Sequence, residues 1–287
     1  MTEKKFNRGT LYVFLCGLLF SVGGLCLKTV PWGSLAINSF RCLLSGFTIY
    51  AFMRLTHRKI HVNKHILITS AAMIATTTIY ALAVKLTTAG AAIVMQFTVP
   101  IWTMIFGVLL FHKKPRRGDI IACLVVFAGI GICFYEGLAG GRTLGNVLGL
   151  LSGVTYSGVF MGNSHEDSDP MSSAVIGQLA SGVFELPWLL KADFSALDTK
   201  SWAALIVLGV FQMGLAYIFL SIGLLTTPPV TASLLTGIEP VMNPVWVALF
   251  YGEMITPLFA LGGIIVLVSV TLYGIWNSKQ EAKGAPG

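Results

Sequence analysis

Apolar residues in this chain neither alternate with polar ones nor recur on one helical stripe; they run on for about twenty positions at a time and stop at short polar or basic clusters. A helix rises about 1.5 Å per residue and a bilayer's hydrocarbon core is about 30 Å thick, so about 20 apolar residues make one crossing. Ten segments meet that length: 9–28, 34–53, 65–84, 89–111, 118–137, 143–163, 171–190, 200–221, 228–250 and 257–276. Pro31, Pro115, Pro170 and Pro257 fall between segments or at their ends, and Pro228-Pro229 opens the ninth. Proline cannot donate into a helix ladder, so these positions are natural limits. Lipid-spanning barrel strands would alternate, and these runs do not. The pattern predicts an all-α membrane protein of ten transmembrane helices.

The clusters between the runs set the orientation, because Lys and Arg collect on the cytoplasmic side. With the N-terminus inside, that side receives Lys4, Lys5, Arg8, Arg54, Arg58, Lys59, Lys64, Lys113, Lys114, Arg116, Arg117, Lys279 and Lys283. The outer side receives Lys28, Lys85, Arg142, Lys191 and Lys200. Both termini are therefore expected in the cytoplasm of a cell whose inner (plasma) membrane holds the protein. The bias is strong in the first half and weak in the second.

Composition agrees: 55% of the 287 residues are hydrophobic and 11% charged, against roughly a quarter charged in soluble domains. The net charge of +7 lies between apolar runs, so it reads as a topology signal and no nucleic-acid partner is expected. Met1 to Arg8 is short and basic, but the run after it is too long for a signal-peptide core and is read as a retained span. Cys16, Cys26, Cys42, Cys123 and Cys133 all sit in apolar stretches and read as reduced, buried small residues.

The two halves resemble each other. Thr87, Ala92, Pro100 and Phe111 recur 140 positions later as Thr227, Ala232, Pro240 and Tyr251, and Gly17-x-x-Phe20-Ser21 corresponds to Gly153-x-x-Tyr156-Ser157. Five spans per half invert the second copy relative to the first, an inverted-topology repeat of the kind secondary transporters use. The halves are 1–137 and 143–287.

At the residue level, Thr87 to Gly137 resembles an EamA repeat: Thr-Thr-Ala-Gly-Ala-Ala, then Val-Pro100, an apolar helix, a charged turn and a glycine-bearing helix. Thr226 to Gly274 resembles a second copy, with Glu239-Pro240 and Gly252-Glu253 where that family shows Glu-Pro and Gly-Glu, and Phe40-Arg41 also fits. The first copy departs at His112-Lys113, where Gly-Glu is usual. The resemblance implies the drug/metabolite transporter superfamily. It further implies a cavity from spans one to four and six to nine, with spans five and ten peripheral and supporting assembly.

Ionisable side chains inside a membrane mark function by default. Glu239 lies about 17 Å into the ninth span, at 1.5 Å per residue. Pro240 and Pro244 follow it and loosen the helix. A carboxylate beside freed carbonyls suits a cation, a substrate amine or a proton; holding a helix bend is the plainer role. Glu185, about 9 Å from the outer end of the seventh span, and Arg41, about 10 Å from the outer end of the second, share a depth and are positioned to pair. A purely structural ion pair is the plainer role for both. Asn38, Gln96, Gln212 and Asn243 are polar inside spans, where helix-to-helix hydrogen bonding is common. Tyr80 and Tyr217 sit on inward parts of the third and eighth spans. Trp32, Trp202 and Trp276 read as interfacial belt residues. Trp102, Trp188 and Trp246 lie deeper and offer faces to a cation or to packing. The candidate substrate-binding set is Glu185, Glu239, Arg41, Asn38, Gln96, Trp102, Tyr80, Tyr217 and Asn243.

Gly145, Gly149 and Gly153 repeat at spacing four, then Gly158 and Gly162 follow; such small-residue spacing permits close helix packing. His165-Glu166-Asp167-Ser168-Asp169 has metal-ligand side chains but reads as a solvated loop, and no metal or other cofactor is expected. There is no His-Glu-x-x-His and no nucleotide fingerprint, so no enzyme and no energy-coupling domain is expected. The chain reads as a secondary transporter working by alternating access on a small-molecule substrate within the lipid bilayer. Amino-acid or metabolite export is the first expectation, with a proton on Glu239 or Glu185 as one coupling and uncoupled exchange as the other. Uptake of a cationic or zwitterionic amine, or a non-transporting assembly or sensor subunit, are the alternatives. Nothing in the sequence fixes the oligomeric state.

Overall fold

A computed structural model describes residues 8–27, 29–87, 89–112, 114–133, 135, 143–251 and 256–284. Expectations at Lys4, Lys5, Lys28, Lys113, Gly137, Arg142, Gly252 and Glu253 lie outside the described residues. The described elements are helical throughout. They run α1 (Arg8–Phe20), α2 (Gly23–Leu27), α3 (Ser34–Leu55), α4 (Lys64–Leu86), α5 (Ala89–Gln96), α6 (Val99–Phe111), α7 (Arg117–Cys133), α8 (Thr143–Gly162), α9 (Pro170–Phe184) and α10 (Leu186–Leu190). After a 3-10 turn at Phe194–Ala196 come α11 (Thr199–Ile206), a π-helical stretch (Val207–Leu215), α12 (Ala216–Leu224), α13 (Pro229–Leu235), α14 (Ile238–Tyr251) and α15 (Pro257–Gly284).

Among the described residues six stretches are long and apolar enough to cross a bilayer: Arg8–Leu27, Ser34–Leu55, Lys64–Leu86, Thr143–Gly162, Thr199–Leu224 and Pro229–Phe250. Large apolar side chains lie open on the outer faces, among them Leu109 and Leu110 on α6, Leu124 on α7, Phe250 on α14 and Leu272 on α15. An open apolar surface of that extent belongs in lipid.

Several expected spans are not continuous helices. The first breaks at Ser21–Val22, the fourth at Phe97–Thr98, the seventh at Glu185 and the ninth at Thr236–Gly237. Three of the four breaks have a proline just after them. Pro100 and Pro240 stand in the first turn of the helix after the break, where a missing N–H costs nothing, and so does Pro187 after Glu185. Hydroxyls take up backbone acceptors there: Thr98 Oγ1 donates to the Met95 carbonyl at 2.8 Å, and Thr236 Oγ1 donates to the Ser233 carbonyl at 2.9 Å. Apolar hydropathy cannot register such breaks, because it counts side chains and not ladder bonds.

Two ends of the bundle are defined by long-range bonds. At one, Asn63 Nδ2 donates to the Asp167 carbonyl at 2.6 Å, and the His61 amide donates to Ser172 Oγ at 2.9 Å. At the other, Trp32 Nε1 donates to the Asp193 carbonyl at 2.8 Å, and Thr87 Oγ1 donates to Asn146 Oδ1 at 2.8 Å. Between the ends, α4 packs along α8, α3 along α9, α1 along α12 and α7 along α15. Asp119, in the first turn of α7, is buried; its Oδ1 accepts from Tyr273 Oη at 2.8 Å and its Oδ2 from the Arg116 amide at 2.9 Å. That buried carboxylate, not singled out in the sequence, ties α7 to α15.

The glycine stripe on α8 is a close-packing face, as its spacing predicts. A Cβ at Gly153 would stand 2.7 Å from the Gln96 carbonyl oxygen, and one at Gly145 would stand 2.7 Å from the Thr87 amide nitrogen. These are backbone atoms that cannot rotate aside. A Cβ at Gly131 on α7 would meet nothing within 4 Å. Gly153→Leu is therefore expected to lower the apparent melting temperature of the detergent-purified protein by several degrees, in line with the about 1–3 kcal/mol that overpacking costs. Gly131→Leu is expected to leave it unchanged, and equal effects from the two would refute the packing argument.

Candidate functional site

The breaks in α5–α6 and in α13–α14 face a small cavity of about 60 Å³ between the helices. Its wall takes Phe20 from α1, Arg41 from α3, Thr76, Thr77 and Tyr80 from α4, Gln96 from α5 and Tyr156 from α8. Gln212 and Met213 from the π stretch, Tyr217 from α12 and Glu239 from α14 complete it. Five of the residues expected at a site, Arg41, Tyr80, Gln96, Tyr217 and Glu239, thus meet around one space.

Their placement follows from the helix breaks. Gln96 is the last residue of α5, and Glu239 is the second residue of α14, with its amide bonded to the Thr236 carbonyl at 3.0 Å. A carboxylate in a helix's first turn lies at the positive end of the helix dipole. Phe97–Thr98 and Thr236–Gly237 fall at nearly the same place ahead of Pro100 and Pro240, the breaks being 139 positions apart and the prolines 140. The position matching Glu239 in the first half is Val99. Among the described lining residues Glu239 supplies the one carboxylate, and Val99 stands outside the wall.

The π stretch serves the same space. Residues five apart on an α-helix point about 140° apart, at about 100° per residue. Gln212 and Tyr217 nevertheless both reach the cavity, because i→i+5 bonding widens the turn that holds Gln212. Gln212 Nε2 also donates to the Phe20 carbonyl at 3.3 Å, where α1 breaks, and Trp246 Nε1 donates to Ser21 Oγ at 2.8 Å. Trp246 is thereby a support for the break in α1.

Behind the cavity lies a polar relay. Arg41 Nε donates to Asn38 Oδ1 at 2.9 Å, and Asn38 Nδ2 donates to Glu185 Oε2 at 2.7 Å. All three residues are buried, Glu185 and Asn38 completely. The direct Arg41–Glu185 contact suggested by their shared depth is replaced by this bridge; among the described residues Arg41 forms no ion pair. Glu185 sits in the break between α9 and α10 and does not line the cavity. Its other carboxylate oxygen faces the buried hydroxyl of the neighbouring Thr78.

The remaining candidates lie elsewhere. Trp102 donates to Thr98 Oγ1 at 3.1 Å and leans on Phe106, outside the cavity wall. Asn243 is half-buried one turn beyond Glu239 and also outside the wall. Trp188 is exposed beside Trp32, Lys85 and Lys191 at the end of the bundle. Thr76, Thr77 and Met213 line the cavity without having been singled out. So do Phe20 and Tyr156, whose signal was their pairing as corresponding positions of the two halves.

Comparison with known proteins places this geometry. A transporter of Bacillus subtilis (strain 168), YwfM, described as uncharacterized, is 22% identical over 294 residues, spanning 98% of each chain. An uncharacterized transporter of Clostridium kluyveri is 25% identical over 211 residues, 69% of this chain and 68% of its own. A solved crystal structure, described only as that of a protein, is similar with a TM-score of 0.82 over 95% of this chain and 100% of its own, at 16% identity, which speaks to the fold alone. Residues 7–135 and 143–275 each match the EamA-like transporter family. The chain belongs to the EamA-like transporter family.

Proposed function

We propose that this protein is a secondary transporter of small zwitterionic metabolites, amino acids first among them, moved outward by alternating access. The observation that carries this reading is that Arg41 and Glu239, a guanidinium and a carboxylate, line one cavity without pairing to each other. A buried charge needs a partner. An α-amino acid brings one of each sign, its carboxylate for Arg41 and its ammonium for Glu239. Tyr80, Tyr156 and Tyr217 add aromatic faces and hydroxyls suited to the rest of such a ligand. The cavity as it stands is smaller than an amino acid with a side chain, so binding requires its walls to part.

The mechanism rests on ten spans arranged as two inverted repeats, 1–137 and 143–287. Helix contacts support that arrangement: α1 on α12 and α4 on α8 exchange with one another when the halves are swapped, while α3 on α9 and α7 on α15 map onto themselves. Rocking one half against the other would open the cavity to each side in turn. Basic side chains at Arg54, Arg58, Lys59 and Lys64 assign the end carrying the α3–α4 and α8–α9 loops to the cytoplasm of a plasma membrane. Glu239 is the group placed to exchange a proton for substrate.

The first test is a thermal-shift screen of the purified protein against amino acids, simple amines and simple carboxylates, since a ligand that binds only the folded state raises its stability. Amino acids are expected to stabilise it most. Arg41→Gln and Glu239→Gln are each expected to weaken that effect at least tenfold in concentration, about 1.4 kcal/mol. Amines that stabilise equally well, with Arg41→Gln without effect, would replace this reading with cationic-amine uptake.

The relay makes a separate prediction. Asn38 holds Arg41 in place, and Glu185 holds the Asn38 amide. Asn38→Leu and Glu185→Gln are expected to raise the substrate concentration needed for half-maximal transport while Glu239-dependent proton coupling persists. Transport kinetics in proteoliposomes at two pH values would show it, and loss of pH dependence in Glu185→Gln would instead assign the proton to Glu185.

A further inference from the structure

Three metal-ligand side chains meet at one end of the bundle, outside the cavity. The His65 ring, in the first turn of α4, stacks on the His165 ring with centroids 3.7 Å apart and planes 15° apart. His165 Nδ1 lies 3.9 Å from Asp167 Oδ2, and one ligand atom from each of His65, His165 and Asp167 lies within 4.8 Å of the others. The two histidines are half-buried and Asp167 is exposed, so the group is open to ions from solution.

We propose that His65, His165 and Asp167 form a binding site for a first-row divalent ion, with Zn²⁺ as its natural probe. Two imidazoles and one carboxylate are a ligand set that borderline ions accept, with solvent in the fourth position. Atoms bound at about 2.1 Å around a tetrahedral centre stand about 3.4 Å apart, so the widest separation here closes by little more than an ångström. Two nearly parallel rings cannot both aim their in-plane lone pairs at one ion, so one ring must also turn out of the stack, and the turn holding His165 and the exposed Asp167 gives room for that.

Preorganisation is the second observation. Asn63 accepts from the Ile66 amide at 2.9 Å, capping α4, and donates to the Asp167 carbonyl at 2.6 Å. One side chain thus fixes both the helix start that carries His65 and the turn that carries Asp167. Asp169 caps α9 through the Met171 amide at 3.1 Å and accepts from the Ser172 hydroxyl, which in turn accepts from the His61 amide at 2.9 Å. The α3–α4 loop and the α8–α9 loop are therefore already stitched together where the ligands converge, and a bound ion would add one more stitch between the two halves of the chain.

The test uses the full chain, purified in detergent and stripped with a chelator. Equilibrium dialysis against Zn²⁺ is expected to find one ion bound per chain at micromolar concentration, and melting scans are expected to show a rise with Zn²⁺. His165→Ala and Asp167→Asn, both on the loop surface, are each expected to weaken binding at least tenfold and to remove the rise, whereas Mg²⁺, which prefers oxygen ligands, is expected to do neither. Absence of bound Zn²⁺, binding that survives in both variants, or an equal response to Mg²⁺ would overturn the site.

Discussion

In a bilayer no water is available to a free backbone N–H or C=O, so a helix can break only where other protein groups receive the freed bonds. That constraint organises this molecule. Four of its helical runs break, and each break is surrounded by protein: hydroxyls at Thr98 and Thr236, the Gln212 amide and the Trp246 indole around Ser21–Val22, and the α9–α10 junction packed on α3. Having been forced inward, the breaks bring helix ends and polar side chains to the middle of the bundle. The cavity is a product of the same requirement.

Buried charge is handled in two different ways. Arg41 and Glu185 are kept apart by Asn38, whose amide offers an acceptor to one and a donor to the other. A bridge of this kind satisfies part of each charge and leaves the rest of the guanidinium available to the cavity. A direct bidentate pair would have closed it off, since such pairs use the whole fork. Among the described residues Glu239 has no comparable bridge, and it sits instead at the start of a helix, where amide dipoles favour it. Arg41 is thus oriented from behind, while Glu239 is held chiefly by its own helix.

Much of this was readable from the chain. Run length marked the six crossing-length stretches among the described residues, and the matched positions Phe20 and Tyr156 proved to line one cavity. The depth of Arg41 and Glu185 followed from counting residues. Asn38 lies three positions before Arg41, hence on the same helix face, and that spacing was the available signal for the bridge. The breaks and the π stretch were not legible: they depend on which carbonyls find donors, and apolar sequence does not encode that. Trp102 and Asn243 looked equivalent to Gln96 by polarity and position, but which side of α6 or α14 faces inward is fixed by tertiary packing. The ring stack of His65 on His165 joins the first turn of α4 to a loop a hundred residues away, beyond the reach of any local pattern.

Val99 and Glu239 occupy the same place in two copies of one backbone design. In the inverted arrangement proposed above, the frame has no inherent sense of direction, since turning it over returns the same shape. A carboxylate in one copy and a methyl-tipped side chain in the other removes that indifference. The scaffold is reversible and its chemistry is not, so the two faces of the membrane are distinguishable to anything bound between them, and a preferred direction of travel can be written into a single residue.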